Sequence, residues 1–490
     1  MIVFRLIAAA VLILVVVLPW LRLPVDREFR SMFPMLAAAT LLGAAAWTGA
    51  VVIVLLVVSV AVLPLALVAA LVAAGFWWRA RPTPTGGSGR PPGSRSFIRS
   101  IRMLAHRTAY LDLSRRYGPV FMTSQFGRPV VCVVGLERGQ RLLRANADSF
   151  GPSPLRFAEE VAGGFLRYMD DGTHDRYGPV FRRSLSTEVN AAVAPRVDAV
   201  IHEELLGMNR NGESPVSAAG RIAETALLWS LLGMDPESAA GVDYLKTSAE
   251  FSRRTTLRPD RRAGSESFDR LRSLVRGQID AIESGSVPPC ALREMRLSDP
   301  TLPDDVCIDN LIFMHRLGVG NLAGLLVWLV QMLGTNEQWR QRLGEAEGAE
   351  RRVLADAFVD ETLRLAQSEY LYRSLTADVE FEGFRLHAGQ LVRLCVWESH
   401  RDPEVFDHPT DLTDRFVMGT FPQGQYCPFG FGRHACNAGS VAKMAGVLLV
   451  EAIAADMTLS IQSSELLARD ARHWAHWRPG PDLRVFRLPR

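Results

Sequence analysis

CPFGFGRHACNAG, Cys427 to Gly439, sets two cysteines, a histidine, an arginine and three glycines into a short stretch of a chain that is otherwise rich in apolar residues. A cysteine that serves as a thiolate ligand needs a deprotonated sulfur, shelter from oxidation, and backbone N–H groups to temper its charge. Gly430 and Gly432 permit the main chain to turn back under the sulfur. The apolar run SVAKMAGVLLVEAIA after Gly439 reads as a helix whose N-terminal dipole faces Cys436. The local pattern therefore places Cys436 to be an anion. Two other readings stay open for the loop alone: a buried structural cysteine in a glycine-rich turn, and a zinc site from Cys427, His434 and Cys436, which lacks a fourth ligand nearby.

The chain around this loop has 490 residues and a formal charge of +3, with no long basic block, so nucleic-acid binding has little support. Its six cysteines, Cys132, Cys290, Cys307, Cys395, Cys427 and Cys436, form no CxxC pair, which reads as reduced thiols in a cytoplasmic domain. Cys307, Cys395 and Cys427 read as small core or surface residues.

A membrane is the stronger expectation. Leu6 to Leu21 carries no charge, and Leu36 to Trp78 runs 43 residues without one. A single helix of that length measures about 64 Å, twice the hydrocarbon thickness, so the second run reads as two spans with a turn. Arg22, Arg27 and Arg30 lie between the runs, and Arg79, Arg81, Arg90 and Arg95 follow the second. Three spans put both basic stretches inside. A cleaved signal peptide fits less well, because Leu18-Pro19-Trp20 is no small-residue cleavage motif. The expected organisation is a membrane region at 1–79, a Pro/Gly/Ser-rich linker at 80–96 that is too polar to pack, and a catalytic domain at 97–490, with the protein multi-pass in the cell membrane and its catalytic domain cytoplasmic. Within that domain helical periodicity dominates from about Ala194 to Leu365, and β-like runs occur at Pro129 to Val134 and Val379 to Leu394.

Phe429-Gly430-Phe431-Gly432-Arg433-His434-Ala435-Cys436-Asn437-Ala438 resembles the haem-binding loop of cytochromes P450, F-x-x-G-x-[RH]-x-C-x-[GA]. Glu361-Thr362-Leu363-Arg364 resembles the family's E-x-x-R, and Arg373, HRDPEVF (His400 to Phe406) and DRF (Asp414 to Phe416) follow in the family's order. Upstream, RRYGPVFMTSQFGRPVVCVVG and GTHDRY resemble its first helix with the β pair and its C-helix entry. The resemblance covers about residues 100 to 490.

It implies a mainly α fold with a minor β region, preceded here by transmembrane helices, and one haem b (iron protoporphyrin IX). It makes Cys436 the axial thiolate, the ligand that favours O–O cleavage. His434, Arg373 and His174 match haem propionate partners, with Phe429 in the haem-binding loop. Glu361, Arg364 and Arg415 match a buried ionic network. The family's arginine four residues after His174 is Gly178 here.

The central helix departs further. Where the family carries A-G-x-[DE]-T-[TS], this chain has LGVGNLAGLLVWLV: Gly318 matches the glycine, Gly320 replaces the acid, Asn321 replaces the alcohol, and Trp328 is in register. In a monooxygenase the acid and threonine deliver protons to dioxygen; glycine delivers none, and an amide is a poor acid but can orient a heteroatom. The expectation is therefore atypical chemistry by Asn321 and Gly320 in a pocket with Leu317 and Gly324: cyclisation or rearrangement of a lipophilic small molecule, bearing an activated N–O or O–O bond in one version, in specialised metabolism. Ordinary hydroxylation or epoxidation with O2 and a separate donor, ferredoxin or reductase, is the alternative, and a non-catalytic haem or ligand-binding protein the third. His315 and Arg316, about 120° and 140° around the helix from Asn321, read as packing residues or as a source of substrate polarity.

Overall fold

The computed structural model describes chiefly residues 83–85, 89–95, 106–125, 128–152, 165–211, 213–256, 261–367, 369–419 and 424–456, with short strands beyond. All but one residue of the expected membrane region lies outside these described residues. The strands are β1 (Thr83–Thr85), β2 (Gly93–Arg95), β3 (Val120–Gln125), β4 (Arg128–Val133), β5 (Phe150–Pro152), β6 (Leu371–Leu375), β7 (Val379–Phe381), β8 (Phe384–Leu386), β9 (Leu391–Leu394), β10 (Leu459–Gln462), β11 (Ala468–Arg469), β12 (Trp477–Arg478) and β13 (Arg484–Arg487). The longer helices are α1 (Ala109–Tyr117), α2 (Leu136–Ala145), α3 (Asp171–Ser184), α4 (Thr187–Asn211), α5 (Pro215–Leu232), α6 (Ala239–Thr256), α7 (Arg261–Glu283), α8 (Ala291–Ser298), α9 (Asp304–Thr335), α10 (Glu337–Glu345), α11 (Gly348–Ala366) and α12 (Gly439–Asp456).

The described residues fall into two units, those up to 132 with 378–391, and those of 133–377 with 392–490. In the smaller unit β1 pairs antiparallel with β2, and β2 runs parallel to β3 with Gly93 opposite Met122. Only glycine fits there, since a Cβ on residue 93 would run into the Met122 carbonyl. The β7–β8 hairpin turns through Glu382 and Gly383, both at positive φ, and the Arg385 N–H donates to the Gly89 carbonyl at 2.6 Å. The stretch 80–96, expected as an unpacked linker, thus carries two strands and a buried Pro91. Strand pairing is satisfied by the backbone and needs no apolar side chains, which is why a Gly/Ser/Thr-rich composition concealed it.

The larger unit is built around α9. Its first turn carries Asp304 and Asp305 at the positive end of the dipole, and apolar residues surround the remainder. Among the described residues it is the one helix long and apolar enough to cross a bilayer, yet it is a core helix, packed by α5, α7, α11 and α12. Against α5 the approach is close: a Cβ on Gly318 would sit 2.9 Å from Leu227 Cδ1. Pro215 starts α5 behind the Ser214 cap, and Gly233, at φ 61°, ends it. β6 lies between β5 and β9, and β10 pairs with β13 as β11 does with β12. The helical stretch and the β-like runs fall where the periodicity places them.

Candidate functional site

The cysteine loop is closed by its own backbone. Gly430 N–H donates to the Cys427 carbonyl at 3.1 Å, Ala435 N–H to Gly432 at 3.2 Å, and Cys436 N–H to Phe429 at 2.8 Å. Gly430 and Gly432 stand at φ 77° and 68°, the left-handed region that lets the chain double back. The Phe429 ring covers the start of α12 so closely that a Cβ on Gly439 would lie 3.0 Å from it. Cys436 is accessible to solvent while protein crowds its other sides. That burial raises its thiol above the ordinary value, and the Ala438 backbone N–H acts in the opposite direction. Bonding to a metal cation would favour the thiolate.

His400 supports the loop from behind, accepting the Cys427 N–H at Nε2 (3.3 Å). Burial first, then the Arg364 and Arg401 charges, push its pKa down to about 3, so it accepts as a neutral ring. His400 in turn is tied to α11 through its carbonyl. Arg364 donates there at 2.8 Å, to the Pro409 and Asp411 carbonyls at 2.6 and 3.1 Å, and to both oxygens of Glu361 at 2.7 Å. Glu361 Oε1 also receives Arg415 Nε at 3.0 Å and the Thr413 N–H at 3.2 Å. Glu361 and Arg364 are fully buried, so each charge is matched by the other and by carbonyls that need donors. Lys443 of α12 bridges Asp356 and Asp360 of α11, and Tyr426 donates to Asp360 as well. The segment leading into the loop is thus fastened at His400, Pro409, Asp411, Arg415 and Tyr426.

Two histidines stand at the loop's flank. The His174 and His434 rings lie 4.7 Å apart. His174 occupies the space that a side chain at 178 would need: a Cβ on Gly178 would approach its Cε1 to 2.8 Å. Arg182 donates to the Arg433 carbonyl at 3.0 Å, joining α3 to the loop. On β6, Leu371 lies against Gly430, with its Cδ2 3.6 Å from a Cβ built there, and Arg373, two residues on, shares that strand face. The Arg373 Nη1 donates to the Tyr372 carbonyl at 2.8 Å.

The fourth contributor is α9. It is buried from Val306 to Phe313 and again from Leu322 to Val330, while between them Arg316 to Val319 are partly exposed and Asn321 is exposed. Gln367 Nε2 donates to the Asn321 carbonyl at 3.1 Å, leaving the side-chain amide for other work. Gly320 and Gly324 are buried, and Leu317 is partly so. His315 is a packing residue, set edge-on to Tyr244 at 5.2 Å, and burial lowers its pKa to about 4.

These donors fit haem: one accessible sulfur with N–H support, two imidazoles and an arginine-bearing strand beside it, and a helix that opens midway along its length between Arg316 and Asn321. Cys436 would hold the iron, with His434, His174 and Arg373 available for the propionates. No three His, Cys, Asp or Glu side chains converge for another metal among the described residues. Sequence reading does not single out Gln367 or Tyr426, and it places His400 in the HRDPEVF motif without a role. Each acts through a contact more than 25 positions away, for which a local pattern carries no signal.

The cytochrome P450 family model matches residues 342–464, which hold Glu361, Arg364, Arg373, Arg415 and Cys436. Abscisic acid 8'-hydroxylase 3 of Oryza sativa subsp. indica is 23% identical over 373 residues, 70% of this chain and 74% of that protein. Abscisic acid 8'-hydroxylase 2 of Arabidopsis thaliana is 23% identical over 403 residues, 74% of this chain and 82% of that one. Among solved structures, retinoic acid-bound cyanobacterial CYP120A1 superposes with a TM-score of 0.64 at 17% identity, covering 82% of this chain and 98% of that one. Cytochrome P450EX alpha with myristic acid gives 0.61 at 18%, with the same coverage.

Proposed function

We propose that this chain, which belongs to the cytochrome P450 family, is a membrane-held haem-thiolate enzyme that binds an apolar small molecule against the window of α9 and uses Asn321 to orient one of its heteroatoms. Haem b bound at Cys436 would supply redox chemistry and the cleavage of O–O or N–O bonds. The carrying observation is the make-up of the window. From Leu317 to Gly324 there is neither a carboxyl nor a hydroxyl group. Asn321 is exposed there, its carbonyl taken by Gln367 and its amide directed by the helix. An amide holds a substrate oxygen or nitrogen through a donor and an acceptor at once, but is too weak an acid to pass protons to dioxygen. Cyclisation or rearrangement, including reaction of a substrate that carries its own O–O or N–O bond, asks for the first property and not the second.

Hydroxylation is the second reading, favoured by the abscisic acid 8'-hydroxylases. It requires O2 and a separate electron donor. The acids named with these relatives and neighbours, abscisic, retinoic and myristic, are apolar carboxylic acids. They support a lipophilic substrate. The deciding experiment follows oxygen uptake and label from O2 during turnover by wild type and by Asn321→Thr. Product formed without stoichiometric oxygen, and no gain in Asn321→Thr, supports the first reading. Stoichiometric uptake with label in the product, improved by threonine, establishes hydroxylation.

A further inference from the structure

The C-terminal end of α11 touches both halves of the site. Arg364 and Glu361 fasten the segment from His400 to Thr413 that leads into the cysteine loop. Two residues after Arg364 the same helix meets α9: Ala366 is buried against Trp328, with Met332 beside them. Gln367 follows as the C-cap of α11, giving its own N–H to the Leu363 carbonyl at 3.1 Å and its Nε2 to the Asn321 carbonyl at 3.1 Å. Trp328 and Met332 lie within about 20° of Asn321 around the helix axis. The end of α11 is therefore pinned along one stripe of α9, and Asn321 stands at the N-terminal end of that stripe.

By composition this is a weak part of α9. Gly318, Gly320 and Gly324 surround Asn321, and glycine has the lowest helix propensity after proline. Asparagine itself competes for backbone hydrogen bonds in non-helical conformations. A carbonyl oxygen has two lone pairs, so it can take a side-chain donor in addition to its bond within the helix. Such a donor fixes the plane of the peptide that follows Asn321, and with it the direction in which the Asn321 side chain leaves the backbone. Gln367 is buried and Asn321 is exposed, so the holding bond is sheltered from water while the held amide is not.

We propose that Gln367 is a positioning residue for Asn321: it holds the backbone there so that the exposed amide keeps one direction in the window, in register with the segment that carries Cys436. The proposal rests on the reading of Asn321 as the group that orients a substrate heteroatom. Gln367 touches no reacting atom and acts through Asn321 alone.

The test is the infrared stretch of carbon monoxide bound to the reduced, haem-loaded full chain in detergent. This probe needs no substrate and no turnover, and it responds to the field of polar groups on the ligand side of the haem. Wild type, Gln367→Met, Asn321→Leu and the double variant are compared. Methionine keeps the length of glutamine but offers no donor. Wild type is expected to give one narrow band and Asn321→Leu a shifted one. Gln367→Met is expected to split or broaden the band toward the Asn321→Leu position, as the amide takes several directions, with haem content close to that of wild type. In the Asn321→Leu background Gln367→Met adds nothing, because no amide is left to direct. An unchanged band in Gln367→Met overturns the proposal, as does a wild type that already shows several bands. The same change in both backgrounds also overturns it, since that marks a general displacement of α9. If Gln367→Met does not retain haem, Gln367→Leu is read in its place; loss of haem in both overturns the proposal, because haem retention belongs to the Arg364 network. A band that Asn321→Leu leaves unmoved overturns the reading of Asn321 and the proposal with it, which distinguishes that failure from a failure of Gln367 alone.

Discussion

Arg364→Met is the perturbation that most strains the account of how the cysteine loop is held. Arg364 is fully buried and makes five hydrogen bonds, two to Glu361 and three to the carbonyls of His400, Pro409 and Asp411. Methionine fills much of the volume but returns none of these donors. Breaking a buried pair by removing one partner costs about 3–5 kcal/mol. Each carbonyl left without a donor adds about 1 kcal/mol unless water reaches it. The sum is about 5 kcal/mol or more, against a total stability on the order of 5–15 kcal/mol for a domain. The loss falls on the segment from His400 to Asp411, which is tied through His400 Nε2 to Cys427, so haem retention fails with stability. The assay is haem content after purification, followed by denaturant unfolding of whatever holo-protein is recovered. Arg364→Lys keeps the charge without the fork and recovers only part. Full haem content in Arg364→Met with a loss under about 1 kcal/mol, the scale of an exposed ion pair, would refute the reasoning.

His400 and His315 are buried with pKa values near 3 and 4, below the ordinary 6.5, so between those values the unfolded chain binds protons that the native chain does not. Their contribution to stability is present above 6.5 and is lost as pH falls through this window, by about 1.4 kcal/mol per pH unit for each; unfolding followed against pH should show it, with the slope reduced by one proton in His315→Leu. Gly178→Ala is expected to push the His174 ring off His434 and lower haem content, and His174→Ala/Gly178→Ala to relieve the clash, as read from holo-protein yield and melting temperature; an unchanged Gly178→Ala protein would refute the packing. A chain begun at Ser96 discards β1 and β2 and is expected to be less stable than one begun at Ala80; equal melting temperatures would show that the two strands contribute nothing.

The sequence was most legible where function requires adjacent residues. The loop from Phe429 to Ala438, the Glu361 and Arg364 pair one helical turn apart, and the two glycines at positive φ are local arrangements, and the chain spells each in order. Gly320 and Asn321 were equally readable as a departure, because a helix register is set by counting. What the sequence hid depends on distance along the chain. His400 supporting Cys427, Gln367 holding the Asn321 carbonyl, and His174 meeting His434 join residues that only tertiary packing brings together. The strands within 80–96 were missed because their pairing is a backbone matter, indifferent to composition.

The central claim is that Cys436 is the protein thiolate on haem iron. Its most direct test is the carbon monoxide difference spectrum of the reduced holo-protein in three forms: wild type, Cys436→Ala and Cys427→Ala. Wild type and Cys427→Ala are expected to give the red-shifted Soret band for which the family is named, and Cys436→Ala to lose it, whether or not haem is retained. That band persisting in Cys436→Ala would contradict the account.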